Sequence, residues 1–364
     1  MGSNEERYRQ AAESAAPPRP NNPRPIVILG AGGIIRAAHL PAYTKAAFPV
    51  IAIADSANGK AAELAAEKNI ARSFNSIEDA VRFAPSDAIF DIAVPATQIL
   101  SILPQLPAGA AVLIQKPMGE TFDEATRIRD LCRQRGLVAA VNFQLRYAPN
   151  NLAAVALERA GLLGELHDME VQVRTYTPWK LWTFLATAPR LEILYHSIHY
   201  LDLIRSWFGN PTGVYAKTVR NPQTPTLAAT KTSIILDYGE WKRVFVVTNH
   251  GHDFAPETHR SFVQWEGTKG AIRMDMGVNL DYPKGVPDTL SYAERGVSNG
   301  MWNTLPVKGN WFPDAFVGSM GALQSYVEGS TADLPISFES AYETMALVEA
   351  AYRSNVRPAE PLPL

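Results

Sequence analysis

The sequence predicts an α/β Rossmann domain with a parallel sheet, followed by an α+β domain with a large, mostly antiparallel open sheet. Three observations carry this expectation. From Pro25 to about Tyr147 short apolar runs alternate with helical patterns, as parallel strands joined by crossover helices require. A Gly-rich turn, Gly30-Ala31-Gly32, separates the first apolar run from the first helical stretch, where a dinucleotide fold places its phosphate-binding turn. Beyond Gly161 the hydrophobic period falls to two, as in strands with one covered face.

Residues 1–24 contain Glu5-Glu6-Arg7 and Pro17-Pro18-Arg19-Pro20 but no apolar core of signal-peptide length, and are expected to be a flexible tail. Strands are predicted at 26–30, 50–54, 88–94, 110–114 and 137–142, with helices from about 33 and at 58–68, 76–83 and 121–135. The strands are nearly all apolar, as in Ile89-Phe90-Asp91-Ile92-Ala93-Val94, because both faces of a parallel sheet are covered. Thr121 with Glu124 forms a capping box. A dinucleotide-binding domain is therefore expected over 25–147 and a second, α+β domain over 148–364, to which the family resemblance given below assigns substrate binding and oligomerisation. In the latter, a helix at about 149–161 precedes strands at 165–175, 213–219, 231–237, 243–248, 260–265 and 271–274. Helices at about 192–207, 314–328 and 338–353 complete it.

Composition excludes several classes of partner. A chain of 364 residues that is 46% apolar can bury a core in each of two domains. A formal net charge of -2 leaves no basic excess for nucleic acid or an anionic membrane, and no apolar run approaches the roughly 20 residues that span a bilayer. The single cysteine, Cys132, lies in an amphipathic stretch and reads as a buried structural thiol in a reducing, cytoplasmic setting. A small-molecule partner is expected.

The chemistry-bearing residues follow in order. Gly30 and Gly32 supply the first two fingerprint glycines, with Gly33 and Ile34 beside them, while Ile35 stands where the third glycine belongs. Such a turn is also compatible with no ligand at all. The run Ile51-Ala52-Ile53-Ala54 ends in Asp55, placed to accept from both ribose hydroxyls and to repel a 2'-phosphate, which favours NAD over NADP. Gln115-Lys116-Pro117 follows about 85 residues after the turn and puts a lysine where a nicotinamide ring would lie. Gly30, Gly32, Gly33, Ile34, Asp55, Pro95 and Lys116 make up the expected cofactor-binding set.

These motifs, together with Asn142-Phe143-Gln144-Leu145-Arg146-Tyr147, Gly164-Glu165-Leu166 and His199-Tyr200-Leu201-Asp202-Leu203-Ile204-Arg205, resemble in order and spacing the Gfo/Idh/MocA oxidoreductases, the family of glucose-fructose oxidoreductase and inositol dehydrogenase. The resemblance runs from about Pro25 to Asn355 and is greatest to members acting on sugars, polyols and sugar acids. It implies an open-sheet domain whose exposed face forms homodimers or homotetramers. It also implies catalytic roles for Lys116 and His199, with His196 as the alternative histidine. Two departures stand out: the family pattern has Glu-Lys-Pro where this chain has Gln115, and an Asp four residues before its histidine where this chain has Tyr195.

In a regular helix Glu192, Tyr195, His196 and His199 would project from one face. Either histidine could instead be a satisfied core residue. Glu192, His196 and His199 could chelate a divalent ion, but hydride transfer needs none and no metal is expected. Arg146, Tyr176, Trp179, His196, His199 and Lys116 are the candidate substrate contacts; Arg146 reads equally well as a surface charge, and Tyr176 and Trp179 as a rim or subunit contact. Gln115 removes an anion that would hold the lysine pKa up, and with Tyr195 it biases the site to positive charge, which suits an acidic substrate. The expected activity is NAD-dependent hydride transfer at a CH-OH group of a sugar or polyol derivative, preferably a sugar acid such as an aldonate or apionate. A redox-neutral oxidoisomerase with retained NAD and a non-catalytic NAD- or sugar-binding regulator are the alternatives.

Overall fold

The computed structural model describes residues 2–297 and 301–363. The chain divides into two compact units, one of residues 10–156 and 307–345, the other of residues 1–9, 157–306 and 346–364.

The first unit is built on the apolar runs. They form β1 (Ile26–Leu29), β2 (Val50–Ala54), β3 (Arg72–Phe74), β4 (Ile89–Ile92), β5 (Ala111–Ile114) and β6 (Val138–Val141), in the order β3-β2-β1-β4-β5-β6. Every pairing is parallel. All residues of β1, β4 and β5 are buried, which is why these strands are continuous apolar runs and do not alternate. The strand order reverses between β1 and β4, and ligands of such sheets bind beyond the carboxyl ends at that reversal.

The boundary of this unit differs from the sequence expectation, because 307–345 belongs to it as well. Helix Ala315–Glu328 is buried from Ala315 to Ser325. Gln324 accepts a 2.7 Å hydrogen bond from the Arg24 amide, and Glu328 accepts from the amides of Asn21 and Asn22 at 2.9 and 2.6 Å. These bonds span some 300 positions of sequence, so no local pattern announces them.

In the second unit β7 (Leu166–Arg174), β8 (Gly213–Val219), β9 (Lys231–Asp237), β10 (Arg243–Asn249), β11 (Arg260–Gly267), β12 (Gly270–Asp275), β13 (Thr289–Glu294) and β14 (Asn303–Leu305) form one sheet in the order β14-β13-β12-β11-β7-β10-β9-β8. Only the β7–β10 pairing is parallel. The short β3, β13 and β14 were not expected. In β13 the buried Leu290 and Tyr292 do alternate with more exposed neighbours.

Two further expectations are corrected. The 192–207 stretch is not a regular α-helix: Ile193–Ser197 is a π turn, followed by an α-helix over Ile198–Phe208. Nor is the N-terminus a flexible tail, since Gly2–Glu13 is an α-helix. Tyr8, 1% exposed, stacks on Tyr292 with ring centroids 3.9 Å apart and planes 16° apart, and its hydroxyl donates to the Leu162 carbonyl at 3.1 Å. Burial of that ring and its polar tip supplies the energy that an exposed helix lacks. Replacing Tyr8 by Ala removes both contacts and should destabilise the protein by about 3 kcal/mol, read as a lowered urea midpoint. A midpoint equal to that of the unaltered protein would show that the helix does not dock.

Candidate active site

The turn after β1 is shaped by a close approach of backbones. Gly30 has φ +114°, and a Cβ there would collide with the Ala93 carbonyl at the end of β4; only glycine takes this conformation without strain. Cβ atoms at Gly32 or Gly33 would meet nothing within 4 Å, so the backbone of this turn faces open space. Ile35, in the third fingerprint position, is buried and begins a π turn, Ile35–His39. The helix is widened where a bulky side chain replaces the glycine that allows close helix–sheet packing.

Asp55 follows β2 and is tied to this turn. Its Oδ2 accepts from the Ala31 amide at 2.7 Å and its Oδ1 from the Ala57 amide at 2.9 Å, while Lys60 Nζ lies 3.7 Å from Oδ2. A carboxylate offers about four lone-pair sites, so acceptor capacity remains for a ribose. The open glycine backbone and this carboxylate, both at the carboxyl edge of the parallel sheet, fit a dinucleotide. Pro95 lies exposed after β4 and accepts from the Gln98 amide at 2.9 Å; Ile34 is half-buried in the turn.

Lys116 stands beyond β5. The Gln115 amide donates to the Ile92 carbonyl at 2.8 Å, continuing the ladder between β5 and β4, and the Lys116-Pro117 peptide is cis. Part of Lys116 is exposed, yet its amino group is enclosed, and burial pushes its pKa from 10.5 down to about 8. Loss of hydration disfavours the ammonium form. Downstream, Thr121 Oγ1 accepts from the Glu124 amide at 3.1 Å and Glu124 Oε2 from the Glu120 amide at 2.7 Å, closing the helix start that supports the Lys116 loop.

Beneath the loop lies a polar network that the sequence reading missed. His39 and Asp91 are both 0% exposed, with His39 Nδ1 2.7 Å from Asp91 Oδ2. The Tyr43 hydroxyl donates to the same oxygen at 2.8 Å, and its pKa is driven well up by burial and by Asp91. On the other side of the ring, His39 Nε2 lies 3.2 Å from Gln115 Nε2 and 3.3 Å from Asn142 Nδ2. Gln115 Oε1 accepts from the Lys116 amide at 2.8 Å. The signal available in the sequence was Asp91, a charge inside an otherwise apolar strand, which must find a partner.

Arg146 lies in the same unit, where its guanidinium donates to the Pro335 carbonyl at 3.0 Å and approaches Ser340 Oγ at 3.4 Å. The second unit gathers the other candidates. His196 is half-buried, with its ring 4.9 Å from Trp179, 6.3 Å from Trp182 and 4.5 Å from His250. The π turn brings Ser197 Oγ to Glu192 Oε1 at 2.7 Å, an i,i+5 contact. Glu192 Oε1 is also 3.3 Å from His250 Nε2, an ion-pair distance with poor hydrogen-bond geometry, and His250 Nδ1 is 2.8 Å from Thr177 Oγ1. His250 is thus the partner of this cluster that spacing alone did not assign. Tyr195 is buried edge-on to Phe184, His199 is buried in the first turn of its helix, and Tyr176 is 52% exposed. Among the described residues no group of three or more His, Cys, Asp or Glu is arranged to hold a metal ion, and no helix is long and apolar enough to cross a membrane.

Residues 24–143 match the model of the Gfo/Idh/MocA family, described as an oxidoreductase family with an NAD-binding Rossmann fold. An uncharacterised oxidoreductase of Synechocystis is 27% identical over 147 residues, 40% of this chain and 39% of that protein. The match thus spans well under half of that relative's length. D-glucoside 3-dehydrogenase of Escherichia coli is 23% identical over 92% of this chain and 96% of its own. An Agrobacterium radiobacter oxidoreductase, solved with NAD+, L-tartaric acid and magnesium, superposes with a TM-score of 0.77 at 19% identity, covering 92% of this chain and 96% of that one. At that identity the likeness shows the fold.

The depressed lysine has a consequence for stability without any ligand. The unfolded chain holds this proton up to about 10.5 and the folded chain only to about 8, so the unfolded state binds more protons between those values and stability rises with pH across that window. Below it the buried ammonium costs on the order of 3 kcal/mol. Lys116→Met should be more stable than the unaltered protein near neutral pH and should lack the Lys116 contribution to the rise. Equal slopes in urea titrations of the two proteins from pH about 8 to 10.5 would rule out the depressed lysine.

Proposed function

We propose that this protein, whose residues 24–143 belong to the Gfo/Idh/MocA oxidoreductases with their NAD-binding Rossmann fold, oxidises a CH-OH group of a sugar or polyol derivative, preferably a sugar acid such as an aldonate or apionate. The observation that carries the reading is Lys116, an amine whose pKa burial brings to about 8 at the carboxyl edge of the sheet. A base is most effective when its pKa lies near the working pH.

Bound NAD supplies the acceptor for the hydride that leaves the carbinol carbon. The chain's own residues do the rest. The Gly32-Gly33 backbone leaves room for the phosphates, and Asp55 offers lone pairs to the ribose hydroxyls while repelling a 2'-phosphate. Neutral Lys116 takes the hydroxyl proton as the carbonyl forms. In the sheet unit, His196 over Trp179 is a candidate contact for the substrate, with Glu192 and His250 behind it; His199 is the histidine in register with the family motif.

The preference for an acid rests on charge. Gln115 and Tyr195 stand where the family pattern has carboxylates, and the acid beside His196, Glu192, is turned to Ser197 Oγ at 2.7 Å, with His250 Nε2 3.3 Å away. The absence of those two carboxylates suits an anionic substrate. L-tartaric acid, a hydroxy acid, accompanies NAD+ in the Agrobacterium radiobacter structure. A homo-oligomer is also proposed: Tyr215, Ile235 and Phe245 lie side by side in register across β8, β9 and β10 on the sheet's outer face, with Tyr215 66% and Ile235 54% exposed. An apolar row of this kind marks an interaction surface. Sedimentation should find a dimer or tetramer, which Ile235→Lys shifts toward monomer; an unaltered protein that sediments as a monomer would remove the oligomer.

The activity is tested by following nicotinamide absorbance with NAD and matched pairs of aldonates and neutral polyols. Acids should give the higher kcat/KM, and Lys116→Met should lower kcat at least 100-fold with NAD affinity nearly unchanged. Activity retained within a few-fold would remove Lys116 from the chemistry. Equal kcat/KM for acid and polyol would remove the charge argument. A ligand that binds without any absorbance change would favour a regulator, unless an isomerised product forms, which identifies the oxidoisomerase.

A further inference from the structure

The hydrogen-bond chain Asp91–His39–Gln115–Lys116 fixes more than distances. A backbone N–H can only donate, so the Gln115 side-chain atom 2.8 Å from the Lys116 amide is the oxygen. The other end of that side chain, facing His39 Nε2 at 3.2 Å, is then the NH2 group. Asn142 Nδ2 approaches the same nitrogen at 3.3 Å. A ring nitrogen facing NH2 donors must accept, so Nε2 carries a lone pair and the imidazole proton sits on Nδ1, directed at Asp91 Oδ2 2.7 Å away. A doubly protonated ring would set N–H against N–H in a site with no exposure, a clash of donors that a buried network does not tolerate.

We propose that His39 is a positioning residue for Lys116, acting through Gln115, and that the amide at position 115 keeps this buried imidazole neutral in its Nδ1–H form. The groups facing His39 come from every element around it: Asp91 from β4, Tyr43 from its own helix, Gln115 beyond β5, Asn142 beyond β6, and the ring of Phe316, whose centroid lies 4.9 Å away. A carboxylate at position 115 could still accept from the Lys116 amide, but its second oxygen would meet the lone pair on Nε2. Two acceptors then face each other and a proton must enter between them, giving an imidazolium flanked by two carboxylates. Gln115→Glu therefore adds an anion and a cation together. This revises the simpler expectation that such a change places an uncompensated anion beside Lys116 and raises its pKa.

The inference concerns the protein without NAD and stands apart from the reaction, so its failure and that of the proposed activity are distinguishable. Imidazole tautomers are read from long-range 1H–15N correlations on 15N-histidine protein, with the His39 signals assigned by their loss in His39→Gln. If that variant does not fold, Tyr43→Phe assigns them by their shift. The expected result is an Nδ1–H ring with an unprotonated Nε2 for His39, converted by Gln115→Glu to a ring with both nitrogens protonated. An Nε2–H or charged ring in the unaltered protein would overturn the proposal, as would a ring left neutral in Gln115→Glu.

Discussion

Asp91 is a charged side chain in the middle of a parallel sheet, with both faces of its strand covered. Such a group persists only if its environment supplies donors, and here one carboxylate oxygen receives His39 and Tyr43, both from the helical segment after β1. Much else at this edge of the sheet depends on that requirement. It settles which ring nitrogen of His39 faces outward, which end of Gln115 faces the ring, and hence which atom of Gln115 remains to accept from the Lys116 amide. Removing one member of a buried polar chain leaves the next unsatisfied, at about 1–3 kcal/mol each, so the network resists piecemeal substitution.

Lys116 stands at the far end of this chain and pays the opposite cost. Burial of its amine disfavours the charged form, which lowers stability near neutral pH while making the amine easier to deprotonate. The Gln115 amide contributes no charge of its own, so it holds the backbone of the lysine without reversing the pKa shift.

The motifs that were legible are those whose partners lie close in sequence. Gly30, the turn after it and Asp55 read clearly because a strand, a turn and the next strand fall within one βαβ unit. Lys116 stands out in the sequence through its tripeptide, and Thr121 with Glu124 read clearly through their spacing. The His39–Asp91 pair did not, because its members are 52 residues apart and His39 falls in a helical stretch that otherwise reads as ordinary. The docked N-terminal helix was hidden for the same reason, since Tyr8 finds Tyr292 and Leu162. The π turn over Ile193–Ser197 defeated a face assignment that assumed 3.6 residues per turn, pairing Glu192 with Ser197 and joining them to His250. Residues 307–345 went to the wrong unit because the pattern of a helix tells that it is buried, not where.

The central claim is that the protein itself, before any ligand binds, brings the Lys116 pKa down from 10.5 to about 8. Direct titration of the Lys116 ε-carbon by 13C NMR in the NAD-free protein, assigned by loss of the signal in Lys116→Met, tests it without recourse to activity or stability. The account predicts a midpoint of about 8, and a midpoint at the ordinary 10.5 would contradict it.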